Sequence, residues 1–488
     1  MMKRYLIILC LAVLAACRPE ISGDIARRPE IFPDYTEVTI PRNIAPMNFQ
    51  VISQDGNAWM AEITAAGAKV SIRSGRGLVS FRKGQWKKLL SSPGELKVRI
   101  YEKIDGKWMA YQNFNMYVSE DEIDPYMAYR LITPGYSLWR EMSICQRDLE
   151  SFRESRIYSN TQGKGNCVNC HSFCDRDPDQ MLFHMRSELA GTYIFRNGQK
   201  EKLDTKTDQT ISSLVYPYWH PSGQYVAFSV NKTNQVLHST DPNRIEVFDE
   251  ASDVVVYDLE RREIVTAAHL SSDAAFETFP AFSPDGRSLY YCSAKAVEPM
   301  PEGYKEVRYS LCRVDFDSSD CSIGETVDTL YNAALQGGSV SFPRVSPDGR
   351  FLAFTLGGYG NFSIWHKDAD IHCIDLDNGS LSAMAALNSE DVESYHSWSG
   401  NSRWMVVSSR RDDGLYTRPY ISYVDENGLA HKPFLLPQKD PKKYYDSQMF
   451  SYNIPEFLEG EIDLNGRQIA DFAAEADGVQ VTYKKSLN

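Results

Sequence analysis

The chain has 488 residues, with 65 acidic against 52 basic side chains and a formal charge of −13. That length supports several domains with substantial cores. The charges are mixed and no basic block occurs, so the electrostatic footprint of a nucleic-acid-binding protein is absent.

The start reads as an export signal. Met1-Met2-Lys3-Arg4 is basic, and Tyr5 to Ala16 is an apolar run of 12 residues, too short to span a bilayer. The run ends in Leu14-Ala15-Ala16-Cys17, which resembles the bacterial lipobox. That resemblance implies that residues 1–17 are a lipoprotein signal and that Cys17 is diacylated, anchoring the chain to a membrane. Ordinary secretion with Cys17 as a bystander is the alternative. The expected location is the cell envelope, lipid-anchored on the periplasmic side of the outer or inner membrane.

Residues 18–34, with Pro19, Pro29 and Pro33, read as a tether. Residues 35–119 alternate like short strands, as in Lys69-Val70-Ser71-Ile72-Arg73, with turn residues between them. They predict a small β-sandwich. Residues 120–165 predict a helical connector. Leu138, Met142, Cys145, Leu149 and Phe152 follow helical spacing after Pro134-Gly135.

The chemistry concentrates in Asn166-Cys167-Val168-Asn169-Cys170-His171-Ser172-Phe173. Cys-x-x-Cys-His is the attachment pattern of a c-type haem. Cys167 and Cys170 would form thioethers, and His171 would bind the iron from one axial side. Cys174 extends the pattern to Cys-x-x-Cys-x-x-x-Cys, which also suits zinc or an iron–sulfur cluster. A redox dithiol or a chance match completes the alternatives. An exported chain favours one covalent haem, because bacterial haem attachment takes place outside the cytoplasm.

A repeat follows. Thr278-Phe279-Pro280-Ala281-Phe282-Ser283-Pro284-Asp285-Gly286 matches Ser341-Phe342-Pro343-Arg344-Val345-Ser346-Pro347-Asp348-Gly349. Looser copies occur at 215–223 and 394–402. Each copy reads as strand, tight turn, strand. Trp219, Phe282, Val345 and Trp398 recur 63, 63 and 53 residues apart, a spacing that means propeller blades. These Ser-Pro-Asp-Gly units resemble the WD-type repeats of TolB-like β-propellers. The layout resembles exported bacterial lipoproteins described as TolB-like translocation or cytochrome-c-biogenesis proteins. The resemblance covers roughly residues 166–437 and speaks to fold; propellers host scaffolds and enzymes alike.

Cys170-His171-Ser172-Phe173-Cys174 aligns with Phe279-Pro280-Ala281-Phe282-Ser283. The haem motif therefore belongs on the first strand of a first blade, with Gln180 to Met185 as the paired strand. The expected fold is mainly β: sandwich, helical connector, then a propeller over 166–445 with five visible repeats and five to six blades. Residues 446–488, or the connector before 166, are expected to close the ring. Candidates for the sixth iron position are His184, on the paired strand, and Met181 and Met185, on that strand's other face. His396 aligns with His171, since Tyr-His-Ser-Trp matches Cys-His-Ser-Phe. His220 reads as a turn residue. Cys312 with Cys321, and Cys145 with Cys174, are conceivable disulfides, with free buried thiols as the alternative.

The resulting expectation is a membrane-anchored monohaem protein that transfers electrons or senses redox state with an envelope partner. A haem peroxidase or oxidoreductase with its substrate in the propeller mouth is the enzymatic alternative. A protein-interaction scaffold with a structural haem is the third.

Overall fold

The computed structural model describes residues 20–133 and 141–485. Cys17 and the expected signal segment lie outside these residues, as do Pro134-Gly135 and Leu138. No helix among the described residues is long and apolar enough to cross a membrane.

The described chain divides into two compact units. The first comprises residues up to 42 together with 46–120 and 437–447. It contains two sheets, as expected of a sandwich. The larger has seven strands. Its path runs Ile21–Ile25, Lys107–Tyr111, Gly94–Ile104, Phe114–Val118, Val38–Ile40, and Trp59–Ala65 and Ala68–Ser74 join it at the side. The smaller joins Ile31–Phe32, Phe49–Val51 and Leu78–Val79. Two expectations are corrected here. Residues 20–34 are not a free tether, because Ile21–Ile25 pairs in parallel with Lys107–Tyr111 and Ile31–Phe32 pairs with Phe49–Val51. Backbone pairing at a sheet edge needs no apolar run, so composition alone hides it. A short helix, Lys83–Leu89, also stands inside the expected all-strand region and buries Trp86 and Leu89.

The second unit comprises 43–45, 121–436 and 448 onward. Among its described residues are six sheets whose innermost strands neighbour one another in a closed cycle. This is a β-propeller. From the inside outward, sheet 1 is Ser451–Leu458, Tyr126–Ile132, Met142–Asp148 and Glu154–Ser159. Sheet 2 is Val168–Phe173, Gln180–Met185, Gly191–Arg196 and Gln199–Asp204. Sheets 3 to 6 begin with the innermost strands Leu214–Trp219, Ala275–Phe282, Ser339–Val345 and Glu393–Trp398. The second strands of sheets 5 and 6, Phe351–Gly357 and Trp404–Ser409, are nearly all buried, because each sheet is covered on both faces.

The expected helical connector is instead three strands of sheet 1. Met142–Asp148 is buried at six consecutive positions. A strand packed on both faces loses its two-residue alternation, and its apolar positions then mimic helical spacing. The ring is closed by both candidate segments at once: the connector supplies three strands and the C-terminal part supplies the innermost one. The haem motif therefore lies in the second sheet in chain order. In the tail, residues 461–464 form no strand, whereas Val479–Gln480 and Thr482–Lys485 add to the outer edges of sheets 2 and 3.

The Ser-Pro-Asp-Gly turns repeat their chemistry as well as their letters. Ser283 Oγ donates to Asp285 Oδ1 at 2.5 Å and accepts from Ser288 N at 3.0 Å. Ser346 and Ser399 make the same pair of bonds. Gly286 closes its turn at φ +72°, and a Cβ there would stand 2.2 Å from His220 Nε2. Neighbouring sheets are tied by indole donors: Trp219 Nε1 reaches Ser172 O at 3.4 Å and Trp398 Nε1 reaches Arg344 O at 3.1 Å.

Because Ser451–Leu458 is the innermost strand of sheet 1, a chain ending at Ser447 is expected to lose its cooperative thermal transition and become protease-sensitive. A chain ending at Ala476 loses only edge strands and is expected to keep a cooperative transition, lowered by several degrees. Thermal melts with limited proteolysis of both truncations check this.

Candidate functional site at the centre of the propeller

Every innermost strand carries the same irregularity. In each of the six, two residues oppose one on the paired strand, the signature of a β-bulge. The first bulge residue has a left-handed backbone in every case: Cys170 (φ 55°), Tyr216 (47°), Phe279 (50°), Phe342 (52°), Tyr395 (49°) and Ile454 (49°). The second is His171, Pro217, Pro280, Pro343, His396 or Pro455.

The left-handed residues meet at the centre. Ring centroids lie 4.6 Å apart for Tyr216–Phe279, 4.0 Å for Phe279–Phe342 and 4.6 Å for Phe342–Tyr395. Cys170 is the smallest member of this plug. Beside it lies a cavity of about 20 Å³, bounded by His171, Tyr216, Phe279, Phe342, Arg344 and Glu456 among others, enough for one water.

His171 is 2% exposed, and neither ring nitrogen has a hydrogen-bond partner. Burial, helped by the Arg130 charge and opposed by the Ile454 backbone, lowers its pKa to about 3, so the imidazole is neutral. Burial also raises the Cys170 thiol. Cys167 stands just before the strand, half-buried, and its Sγ accepts from Asn169 Nδ2 at 2.9 Å. Arg130 of sheet 1 fixes this segment. It donates to Val168 O at 2.9 Å, to Asn169 Oδ1, and to Asn453 Oδ1 at 2.7 Å.

The structure brings Cys170 and His171 to one cavity, while Cys167 lies outside its lining. His184 is buried in the blade, with Nδ1 3.3 Å from Thr192 Oγ1 and a pKa lowered by burial to about 4. Met181 and Met185 pack in the core with Phe173, Phe183 and Tyr193. None of these three lines the cavity of His171. His220 is a turn residue, with Nδ1 2.8 Å from Ser222 Oγ and Nε2 3.0 Å from Gly286 O. Cys174 belongs to a different core, between sheets 2 and 3. Among the described residues, no three His, Cys, Asp or Glu side chains are grouped as metal ligands. The eight described cysteines are free thiols, so neither conceivable disulfide is formed.

His396 occupies in sheet 6 the position of His171 in sheet 2. It is 3% exposed, and both of its ring nitrogens lack partners. It lines a second, larger cavity of about 380 Å³, bordered by the first turns of the blades at Pro221, Pro284, Pro347 and Gly400. The two cavities share the walls Phe342, Arg344, Ile454 and Glu456. Arg344 and Glu456 were not singled out from sequence. Both directly follow the bulge, at positions held by Ser172, Tyr218, Ala281 and Ser397 in the other sheets. Comparing charge across aligned repeats would have found Arg344.

No protein-family model matches the chain. No curated protein matches it. Among solved structures, it is similar to puromycin hydrolase at 14% identity and a TM-score of 0.37, covering 63% of this chain and 45% of that one. It is also similar to an ancestral GH74 enzyme at 11% identity and a TM-score of 0.36, covering 85% and 47%. Porphyromonas gingivalis dipeptidyl peptidase 4 follows at 9% and 0.30, covering 86% and 61%. The chain thus spans less than half the length of puromycin hydrolase, and the propeller assignment rests on the sheet register above.

Burial holds the Glu456 carboxyl up at about 8, against the opposing pull of Arg344. Glu277 is held at about 8 in the same way. A carboxyl with a raised folded-state pKa keeps a proton that the unfolded chain releases near 4.5, so folding stability falls as pH rises from about 4.5 toward 8. Glu456→Gln is expected to flatten that fall, by up to about a few kcal/mol at pH 8. Denaturant melts of both proteins across this range measure it.

Proposed function

We propose that this chain is a TolB-like propeller lipoprotein of the cell envelope that carries one covalent c-type haem and exchanges single electrons with an envelope partner. Cys167 and Cys170 would hold the haem by thioethers, and His171 would bind its iron. The observation that carries this reading is the state of His171. It is a buried neutral imidazole with two unpartnered nitrogens, at a bulge position where four of the six sheets have proline. Leaving such a group unpaired costs about 1–3 kcal/mol, which a ligand to that nitrogen would offset.

The donor set fits the group: two free thiols and one unprotonated imidazole, beside an apolar ring of Tyr216, Phe279 and Phe342. The space beside His171, at about 20 Å³, holds a water and not a macrocycle, so loading requires channel side chains to move apart. When bound, the haem supplies a reversible one-electron couple. The chain's part is to keep His171 neutral and water away from it, through burial and the aromatic plug. Arg130 holds the Cys167 side of the motif against sheet 1. Lipidation of Cys17 would keep the site near a membrane.

A haem-dependent oxidoreductase is the second reading. It is favoured by one observation: His184, Met181 and Met185 are engaged in blade packing and do not line the cavity of His171, so none would serve as a second ligand without repacking.

Expressed for export in a host with haem-attachment machinery, the protein is expected to give a pyridine haemochrome spectrum equivalent to one covalent haem per chain. Cys170→Ala is expected to shift the band toward that of a singly attached haem. A wild-type protein free of covalent haem sinks the proposal. High-spin iron that turns over peroxide would select the second reading over the first.

A further inference from the structure

The cavity of about 380 Å³ at the turn end of the channel has a chemistry that haem attachment does not use. Its volume falls within the range of small-molecule sites, about 300–1,000 Å³. Its walls are aromatic and proline side chains, among them Phe173, Tyr218, Phe282, Phe342 and Trp398. Polar groups interrupt them: Arg344, His396, Glu456, the Arg176–Asp175 pair, and serines at 172, 283 and 397.

Arg344 is a buried cation on this wall, its charge opposed by burial and favoured by Glu456. Its Nη1 donates to the neighbouring Pro343 O at 2.8 Å, and its guanidinium lies 4.9 Å from the centroid of the Tyr218 ring. Among the described residues no carboxylate forms an ion pair with it. Glu456 stands on the next wall and accepts from Phe173 N at 3.3 Å; burial raises its carboxyl while Arg344 pulls it down. The other arginine on the wall, Arg176, is already matched by Asp175 at 2.8 Å and Glu459 at 3.4 Å. His396 supplies the second independent sign of an absent ligand. It is 3% exposed, lines this cavity and makes no hydrogen bond of normal geometry, although the Ala353 backbone acts on its ring. A neutral imidazole can donate one N–H.

We propose that this cavity is a binding site for a small organic carboxylate with an aromatic or other apolar body, its anionic head held by Arg344 and His396. The guanidinium presents several donors to a carboxylate in a fork. The aromatic walls bury the remainder of the molecule. A cationic ligand is disfavoured by Arg344, and an inorganic anion leaves the apolar walls unused. The site stands on residues of sheets 2 to 6 and the closing strand, and it does not depend on the haem reading.

Isothermal titration of the full chain with benzoate, benzamide and benzamidinium tests it, since the three share shape and differ in charge. Benzoate is expected to bind at least about tenfold more tightly than benzamide, from the weight of one charged hydrogen-bonded pair, and benzamidinium is expected not to bind. Arg344→Gln is expected to abolish the preference and Arg344→Lys to retain part of it. Benzoate is also expected to slow amide exchange in 342–347 and 394–400. If Arg344→Gln fails to fold, Arg344→Lys and the exchange pattern decide. Equal binding of the three probes, no binding of benzoate, or a preference that survives in folded Arg344→Gln overturns the proposal. So does benzoate binding that disappears in the Cys167→Ala/Cys170→Ala variant, which would give the cavity to the haem.

Discussion

Six strands converge on one axis, and each meets it with a residue in the left-handed backbone region. None of the six is glycine. Each costs about 1–2 kcal/mol relative to ordinary strand backbone, so the arrangement survives because packing over-determines it. The bulge lets adjacent residues share the narrow end of a wedge-shaped sheet. One residue fills the centre and the next lines the channel. The aromatic plug, the two unpartnered imidazoles and the two cavities all follow from this geometry.

The same constraint explains why two histidines stand out. A proline after the left-handed residue gives up no useful donor and lines the channel with an inert surface. An imidazole in its place brings two polar atoms into a region from which water is largely excluded. Sheet 2 and sheet 6 accept that cost, and sheet 2 adds a small thiol where its counterparts have bulky side chains. At these departures from the propeller's own repeat, ring nitrogens and a thiol replace proline and bulkier side chains.

Local features were legible in the amino-acid sequence, and non-local ones were not. Ser283-Pro284-Asp285-Gly286 and its copies announce blades, because the turn is held by bonds within five residues. That repeat also placed Cys170 and His171 correctly on an innermost strand and paired His171 with His396. Sheet 1 stayed hidden. Its innermost strand is drawn from the far end of the chain, pairing Ile132 with Ser451, and no local pattern encodes such a pairing. Its middle strand is buried on both faces, so Met142 and Cys145 imitated a helix. Arg344 and Glu456 are unremarkable one at a time and gain meaning only when the strands are brought around a common axis.

The closing strand also sets an order of events. Ile454 and Glu456 are walls of both central cavities, and they belong to the last innermost strand that the ribosome makes. Until that strand docks, the ring has a gap beside sheet 2, and Cys170 and His171 border an open groove instead of a sealed cavity. The seam between sheets 1 and 2 is shut by residues 451–458, the strand that pairs with Tyr126–Ile132.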